Sequence, residues 1–566
     1  MVRLAMLRPK SIWSTVPCVK GERIATAPQA RVGRVAAERA LVGARVLTLD
    51  PARPSATAVA FRDGRILAVG DDDEIHACSD ARTELLDGTG TVLVPGLVDA
   101  HAHPLWAAGL ARGVDCHSCR TRQDLRRALA GERARSGPGD IVLGWGADYA
   151  LFDDTGLDGG VLEELAGGPA LLTLFDCHTY LATPGVLERA GVRGPERFAD
   201  NSQIVCRDGV PTGELREFAA YERVSGVLPA SSREDALDRI AAHLERMAAT
   251  GLTAAHVMDG SPDTFALLRE LEARGRLPLR LVVSLWCKPA MSDDELAALR
   301  RLRDERGTLW RGGVAKLFID GVVETGTAWL EEPDTRGGGT AAFWPDPARY
   351  ARVVADFAGD GFQCVTHAVG DRAVRCALDA YAAAGAAPGV RHRVEHGETL
   401  PDGHLRRFAA EGVVCSMQPL HMQWRQADGS DEWTRRLGPE RSARAWRTRD
   451  VVDSGAIVAL GSDWPIAHFD PREGMAWARL RRRPGDPDAL VFEPDQVLSG
   501  RAALAGYTTG AALATGDEAD SGRIAPGARA DVTGFAEDPI AVSGDALLDL
   551  PVALTVVDGR VVHQAQ

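Results

Sequence analysis

Four apolar runs in this chain end in a histidine or an aspartate. The stretch "LVPGLVDAHAHPLW", residues 93–106, carries His101 and His103 with one alanine between them. In a β-strand, residues i and i+2 face the same side. The two imidazoles therefore point together, and such a pair can hold one metal ion. "QCVTHAVGD" ends its run in His367, "HRVEHGE" in His396 and "VALGSDWP" in Asp463. Imidazole and carboxylate are ligand types for a divalent metal. Any one of these residues could equally serve a turn or a backbone hydrogen bond. Their recurrence in one register at four strand ends is hard to obtain from packing alone.

Lys316 belongs with them. It sits in "GGVAKLFIDG", inside an apolar run, in a chain with only four lysines among 65 basic residues. A buried ammonium is costly unless it is paired or chemically altered. One alteration suits a metal site: the neutral amine adds carbon dioxide, and the carbamate becomes an anionic ligand able to bridge two ions. Arginine keeps its proton and cannot do this. The competing reading is a buried ion pair of Lys316 with Asp320 or Glu324.

Other chemistries leave no trace. There is no G-x-S-x-G elbow, no P-loop and no G-x-G-x-x-G fingerprint. Cys116 and Cys119 form a lone C-x-x-C, a weak zinc or redox signal. The formal charge of −14 disfavours nucleic acid and anionic membranes as partners. No uncharged apolar run reaches membrane-spanning length. Ten scattered cysteines in 566 residues fit a reducing, cytoplasmic compartment better than a disulfide scaffold.

The elements that must position these residues are legible from periodicity. Alternating short strands, "RALVGARVLTLD" and "ATAVAFRDGRILAVGD", follow a basic leader (1–40) that is expected to be flexible. The same texture returns in "GARADVTGFAEDP" and "ALTVVDGRVVHQ". Residues 41–91 and 501–566 are thus expected to build one composite β-domain. Between them, 92–500 alternates apolar runs, "IVLGWG" and "ALLTLFDCH" among them, with helical stretches such as 233–250 and 371–385. That pattern and size predict an α/β fold, a (β/α)8 barrel with an insertion near 196–230. In such barrels the C-terminal strand ends carry the active site.

With these motifs in view, the chain resembles the amidohydrolase superfamily. The resemblance is to amidohydrolase family 3, with YtcJ-like proteins and N-substituted formamide deformylases. It runs from about 41 to 562 and rests on "VPGLVDAHAH", "GWGADY", "DCHTYLA", "GVPTGELRE", "AKLFIDG", "THAVGDRAV", "RVEHGE", "LGSDWPI", "YTTGAALATG" and "GRIAPGARADV". It implies a metal-dependent hydrolase barrel plus a composite β-sandwich. It places His101 and His103 on barrel strand 1, Lys316 on strand 4, His367 on strand 5, His396 on strand 6 and Asp463 on strand 8. In binuclear relatives the strand-4 lysine is carboxylated and bridges the metals. Two departures bear on the substrate: Glu324 replaces small residues after the strand-4 "DG", and Thr183-Pro184 replaces an Asn-Ser pair.

The expected reaction is hydrolysis of a linear C–N bond of the amide or formamide type. The alternatives are a cyclic amide, carbamate or ester substrate, or a non-catalytic regulatory relative. The metal set is His101, His103, Lys316, His367, His396 and Asp463, holding one or two divalent ions, with zinc suited by ligand type and iron, manganese or nickel open. Asp463 would take the proton of the attacking water, and His396 or His178 would help polarise the carbonyl. Asp176, His256, Asp259, Asp320 and Asp371 are candidates to orient ligands. Trp145, Tyr149, Trp329, Trp344 and Trp424 are candidates to line a pocket, and the glycines of "DTRGGGTAAFWPD" suggest a mobile lid. The partner is a small-molecule substrate; a homodimer is left open.

Overall fold

A computed structural model describes residues 36–110, 112–137, 139–152, 154–198, 202–230 and 232–565. The expected leader lies outside the described residues up to position 35, and its last residues already enter the strand Arg39–Val42.

Eight parallel strands form the catalytic frame: β1 (Leu97–Ala102), β2 (Leu252–Gly260), β3 (Arg280–Cys287), β4 (Trp310–Phe318), β5 (Gln363–Ala368), β6 (Arg393–His396), β7 (Val414–Met417) and β8 (Val458–Leu460). They neighbour one another in chain order. The ring closes between β1 and the exit of β8 through a parallel bridge, Ala102 to Trp464. Asp463 N–H donates to His101 O at 2.7 Å and His103 N–H to Trp464 O at 2.8 Å across the same seam. Every residue of β1, β5, β6, β7 and β8 is buried, as expected of strands covered on both faces.

The helices between strands follow from amphipathic spacing. Arg233–Ala249 buries Leu237, Ile240, Ala241, Leu244, Met247 and Ala248, one stripe at helical period, and begins on a Ser232–Asp235 capping box. Helices Pro347–Gly359 and Asp371–Ala384 pack beside β5 in the same way.

Between β1 and β2 the chain leaves the barrel and builds a separate six-stranded sheet. Its order is Gln203–Arg207, Val210–Arg216, Thr179–Ala182, Ala170–Leu174, Val142–Ala147, Val114–Asp115. This corrects two expectations. "IVLGWG" and "ALLTLFDCH" are not barrel strands, and the insertion reaches well upstream of residue 196. An apolar run reports that a strand is buried but not which sheet receives it. Cys116 and Cys119 are buried thiols in the core of this inserted sheet.

The two chain ends meet as expected. One sheet orders Arg560–Gln564, Val552–Val557, Val532–Phe535, Val92–Pro95, Arg45–Leu47 and Ser55–Ala56, and a four-stranded sheet from residues 39–87 lies with it over a shared core. The boundaries shift from those expected. Val92–Pro95 pairs here rather than in the barrel, and helices Gly500–Gly506 and Thr509–Thr515 pack on β8 rather than in this domain. Among the described residues, no helix is long and apolar enough to cross a membrane.

Candidate active site

The C-terminal ends of the barrel strands gather the expected residues. His101 and Asp463 face each other across the β1–β8 seam: Asp463 Oδ1 lies 3.2 Å from His101 Nε2 and 3.1 Å from His103 Nε2, and Oδ2 lies 3.9 Å from His396 Nδ1. His101, His396 and Asp463 could share one ion. His367 adjoins His396 with ring centroids 4.4 Å apart, and His178 adjoins His367 at 5.6 Å. Lys316 projects from β4 into the same interior, fully buried and above the Phe318 ring at 4.7 Å. Its Nζ has no hydrogen-bond partner. The ion pair with Asp320 or Glu324 is not formed.

Close packing makes this convergence possible. Gly461 sits where an added Cβ would lie 2.5 Å from His101 N and 2.9 Å from Asp99 Oδ1. Asp99 accepts from His101 N–H at 3.1 Å, Ser462 N–H at 3.0 Å and Ser462 Oγ–H at 2.5 Å, stitching β1 to the exit of β8. Burial pushes the Asp99 carboxyl up to about 7. His396 and Asp463 themselves hold positive φ, 73° and 58°, a conformation that surrounding contacts must impose.

Orientation comes from residues that the sequence reading passed over. His101 Nδ1–H donates to Glu395 Oε2 at 2.6 Å, leaving Nε2 as the lone-pair nitrogen. Glu395 is clamped by Arg393, whose guanidinium also reaches Ala100 O, Ser416 Oγ and His256 Nδ1. Burial works to raise the Glu395 carboxyl, but Arg393 and His101 hold it below the usual range. His178 Nδ1–H donates to Glu217 Oε2 at 2.6 Å. Burial alone would lower the His178 pKa; the Glu217 charge outweighs it and raises it to about 9. Burial likewise lowers Lys316 to about 8, so its amine is neutral more readily than a surface lysine. The Asp463 carboxyl, which burial would raise, is held well below its ordinary value by the surrounding imidazoles, His101 foremost.

These donors fit a divalent metal. His101 Nε2, His396 Nδ1 and Lys316 Nζ are buried without hydrogen-bond partners, and such polar atoms are costly unless something binds them; His103 turns Nε2 toward the same carboxylate. His367 Nε2 lies 3.1 Å from Gly321 O, a bond that leaves Nδ1 as the free base. A second group of potential donors, His396, Glu398 and His421, adjoins the first. His421 Nδ1 is 3.3 Å from Glu398 Oε1 and its Nε2 3.6 Å from Asp463 Oδ2. His421 and Glu398 also escaped the sequence reading.

A cavity opens beside this cluster, lined by His178, His367, His396, His421 and Asp463 together with Phe175, Asp176, Glu324, Glu398, Trp424 and Trp446. Of the aromatics expected there, Trp424 lines it, stacked on Phe175 at 3.7 Å. Tyr149 stands behind and donates to Asp176. Trp145 packs edge-on against Trp464, while Trp329 and Trp344 belong to the barrel core. Asp320 accepts the backbone N–H groups of Trp329, Val369 and Gly370, and Asp371 that of Glu331. Both fix loops, and Asp320 Oδ1 also lies 3.9 Å from His367 Nε2. Asp259 takes Trp106 N–H. The glycine-rich loop is anchored, with Asp334 paired to Arg436 at 2.7 Å and Phe343 and Trp344 buried.

Residues 84–563 match the amidohydrolase family, and the chain belongs to it. It is 27% identical over 528 residues to Protein LONG AFTER FAR-RED 3 of Arabidopsis thaliana, covering 88% of this chain and 87% of that one. It is 26% identical over 538 residues to the N-substituted formamide deformylase of Arthrobacter pascens, covering 92% and 97%. The crystal structure of an uncharacterized metal-dependent hydrolase from Pyrococcus horikoshii OT3 superposes with a TM-score of 0.70 at 22% identity, over 89% of this chain and 99% of that one.

Proposed function

We propose that the protein is a metal-dependent hydrolase that cleaves a linear C–N bond of the amide or formamide type. The carrying observation is the gathering of buried, partnerless donor atoms on His101, His396 and Lys316 with His103 Nε2 and the Asp463 carboxylate at the strand ends. The likeness to an N-substituted formamide deformylase supports the bond type. We take zinc as the metal, which His101, His103, Lys316, His367, His396 and Asp463 would hold, Lys316 as its carbamate. The free thiols among the described residues fit a cytoplasmic location.

When bound, a divalent metal supplies Lewis acidity that polarises a carbonyl and readies water for attack near neutral pH. The protein's own residues do the rest. Asp463, ionised among imidazoles, receives the proton of the attacking water and passes it to the leaving nitrogen. His178, charged against Glu217, donates a hydrogen bond to the carbonyl oxygen as negative charge builds there. Glu395 and Gly321 hold His101 and His367 in the tautomers that present a lone pair.

The test is metal content of wild type and Lys316→Ala, beside hydrolysis of N-alkylformamides with and without chelator. The expected result is about two ions per chain falling to one or fewer in the variant, with chelator-sensitive amine release in wild type only. No metal in either protein after zinc-rich growth, and no amine release, overturns the proposal.

A further inference from the structure

The cavity beside the donor cluster carries donors that the expected metal set does not use. His396, Glu398 and His421 all line it, and one ligand atom from each lies within 4.8 Å of the others. They are buried, at 3%, 7% and 9% exposure. His421 comes from the 3-10 turn Pro419–Trp424 that follows β7, the one strand from β4 to β8 that supplies none of the six expected ligands. No lysine or arginine lines the cavity, so no cation of the protein competes for these groups.

Spacing separates two readings of the His421–Glu398 contact. Where a carboxylate orients an imidazole elsewhere in this site, the atoms are close: 2.6 Å for His101 and Glu395, and 2.6 Å for His178 and Glu217. Those are charge-assisted hydrogen bonds. His421 Nδ1 stands 3.3 Å from Glu398 Oε1, beyond the length of such a bond. Two ligand atoms each about 2.1 Å from one zinc ion stand about 3.4 Å apart at the tetrahedral angle. The wider gap is the one an ion needs. Unpaired buried nitrogens point the same way. His421 Nε2 and His396 Nδ1 have no hydrogen-bond partner, which is costly unless something binds the rings. Glu398 is braced as a ligand would be: its Oε2 accepts from Trp433 Nε1–H at 2.8 Å, and its backbone carbonyl from Trp446 N–H at 2.9 Å.

We propose that His396, Glu398 and His421 form a second seat for a divalent cation, beside the one on His101, His103 and Asp463. Two imidazoles and one carboxylate are a three-ligand set with which zinc hydrolases leave a fourth position open. All three face the cavity, where a water or a substrate oxygen can complete the shell. His396 belongs to both donor groups and stands at the boundary between the seats. This rests on the hydrolase reading above and deepens it, because neither His421 nor Glu398 is among the six expected ligands.

The test uses full-length, chelator-treated protein titrated with zinc against a chromophoric chelator, and cobalt-loaded protein read by its visible absorption. His421→Phe keeps a ring against His396 and removes both nitrogens. The expected result is that one bound equivalent weakens about tenfold or more in His421→Phe and in Glu398→Gln, with the cobalt bands of that equivalent lost or shifted. Any other equivalent keeps its wild-type affinity. A change of less than about tenfold in every equivalent overturns the inference and leaves the hydrolase reading intact, because the ions are still bound. Weaker binding with an unchanged cobalt spectrum gives His421 and Glu398 an orienting role only, and also overturns it. No ion on wild type overturns the hydrolase reading and this inference together. Urea melts of the metal-free proteins control for folding: where one variant melts unlike wild type, the other decides.

Discussion

Replacing Glu395 by glutamine keeps its size and removes its charge, and the structure says what that should cost. Glu395 Oε2 accepts from His101 Nδ1 at 2.6 Å and Arg393 Nη2 at 3.0 Å, while Oε1 accepts from Arg393 Nε at 2.9 Å. A glutamine has one oxygen, so its NH2 must confront a donor whichever way it turns. Facing His101, it strands an imidazole N–H, at about 1–3 kcal/mol. Facing Arg393, it strands part of a buried guanidinium whose charge it no longer balances, at about 3–5 kcal/mol. The side chain takes the cheaper orientation, so Glu395→Gln loses about 1–3 kcal/mol of stability, read from urea melts of chelator-treated protein. It also frees the His101 ring to leave its ligand orientation, which lowers metal affinity by about 10–100-fold, read by competition with a chromophoric chelator. The double variant Arg393→Met/Glu395→Met separates the effects, since replacing both charges by apolar groups is far gentler than breaking the pair. Stability should partly return while metal affinity stays low. Wild-type metal affinity in either variant would refute the claim that Glu395 orients His101.

Further tests bear on the seam and on the inserted sheet. Gly461→Ala drives a Cβ to within 2.5 Å of His101 N and 2.9 Å of Asp99 Oδ1. We expect a loss of about 1–3 kcal/mol and weaker metal retention; unchanged melting and metal content would show that the seam has slack. The His178 pKa rises to about 9 in the fold from an ordinary value of 6.5. The group binds its proton more tightly when folded, so its contribution, about 3 kcal/mol, is fully present below pH 6.5 and fades as pH climbs through about 9. Urea melts of chelator-treated protein across that window should show the fall, and Glu217→Gln should flatten it. A contribution of the opposite sign would refute the pairing.

The barrel and its ligand candidates were legible because both signals are local. A run of apolar residues marks a strand covered on both faces, and a histidine or aspartate at its exit marks the mouth. That logic placed His101, His103, His367, His396 and Asp463 on the ends of β1, β5, β6 and β8, where the structure brings them together. Lys316 was conspicuous for its rarity. The inserted sheet was not legible, because "IVLGWG" and "ALLTLFDCH" read as buried strands wherever they pair. Glu395 was visible as an acid inside an apolar strand, but its partner His101 lies 294 residues away, and one sequence shows no such pairing. His421 and Glu217 carry no periodic signal: one sits in a 3-10 turn after β7, the other at a helix start with φ of 67°. The glycines of 337–339 signalled only permissiveness, and the Asp334–Arg436 pair that ties the loop gives no local pattern.

The inserted sheet has a consequence for how such an enzyme diversifies. The group that would steady the developing charge, His178, is borne by a module with its own cores, spliced between the first two barrel strands. The donor cluster is borne by the barrel. Substitutions that reseat the module would move His178 relative to the donor cluster without changing a side chain of that cluster. The two halves of the proposed machinery can therefore vary separately: barrel side chains form the donor cluster, and the insert sets where His178 stands against it.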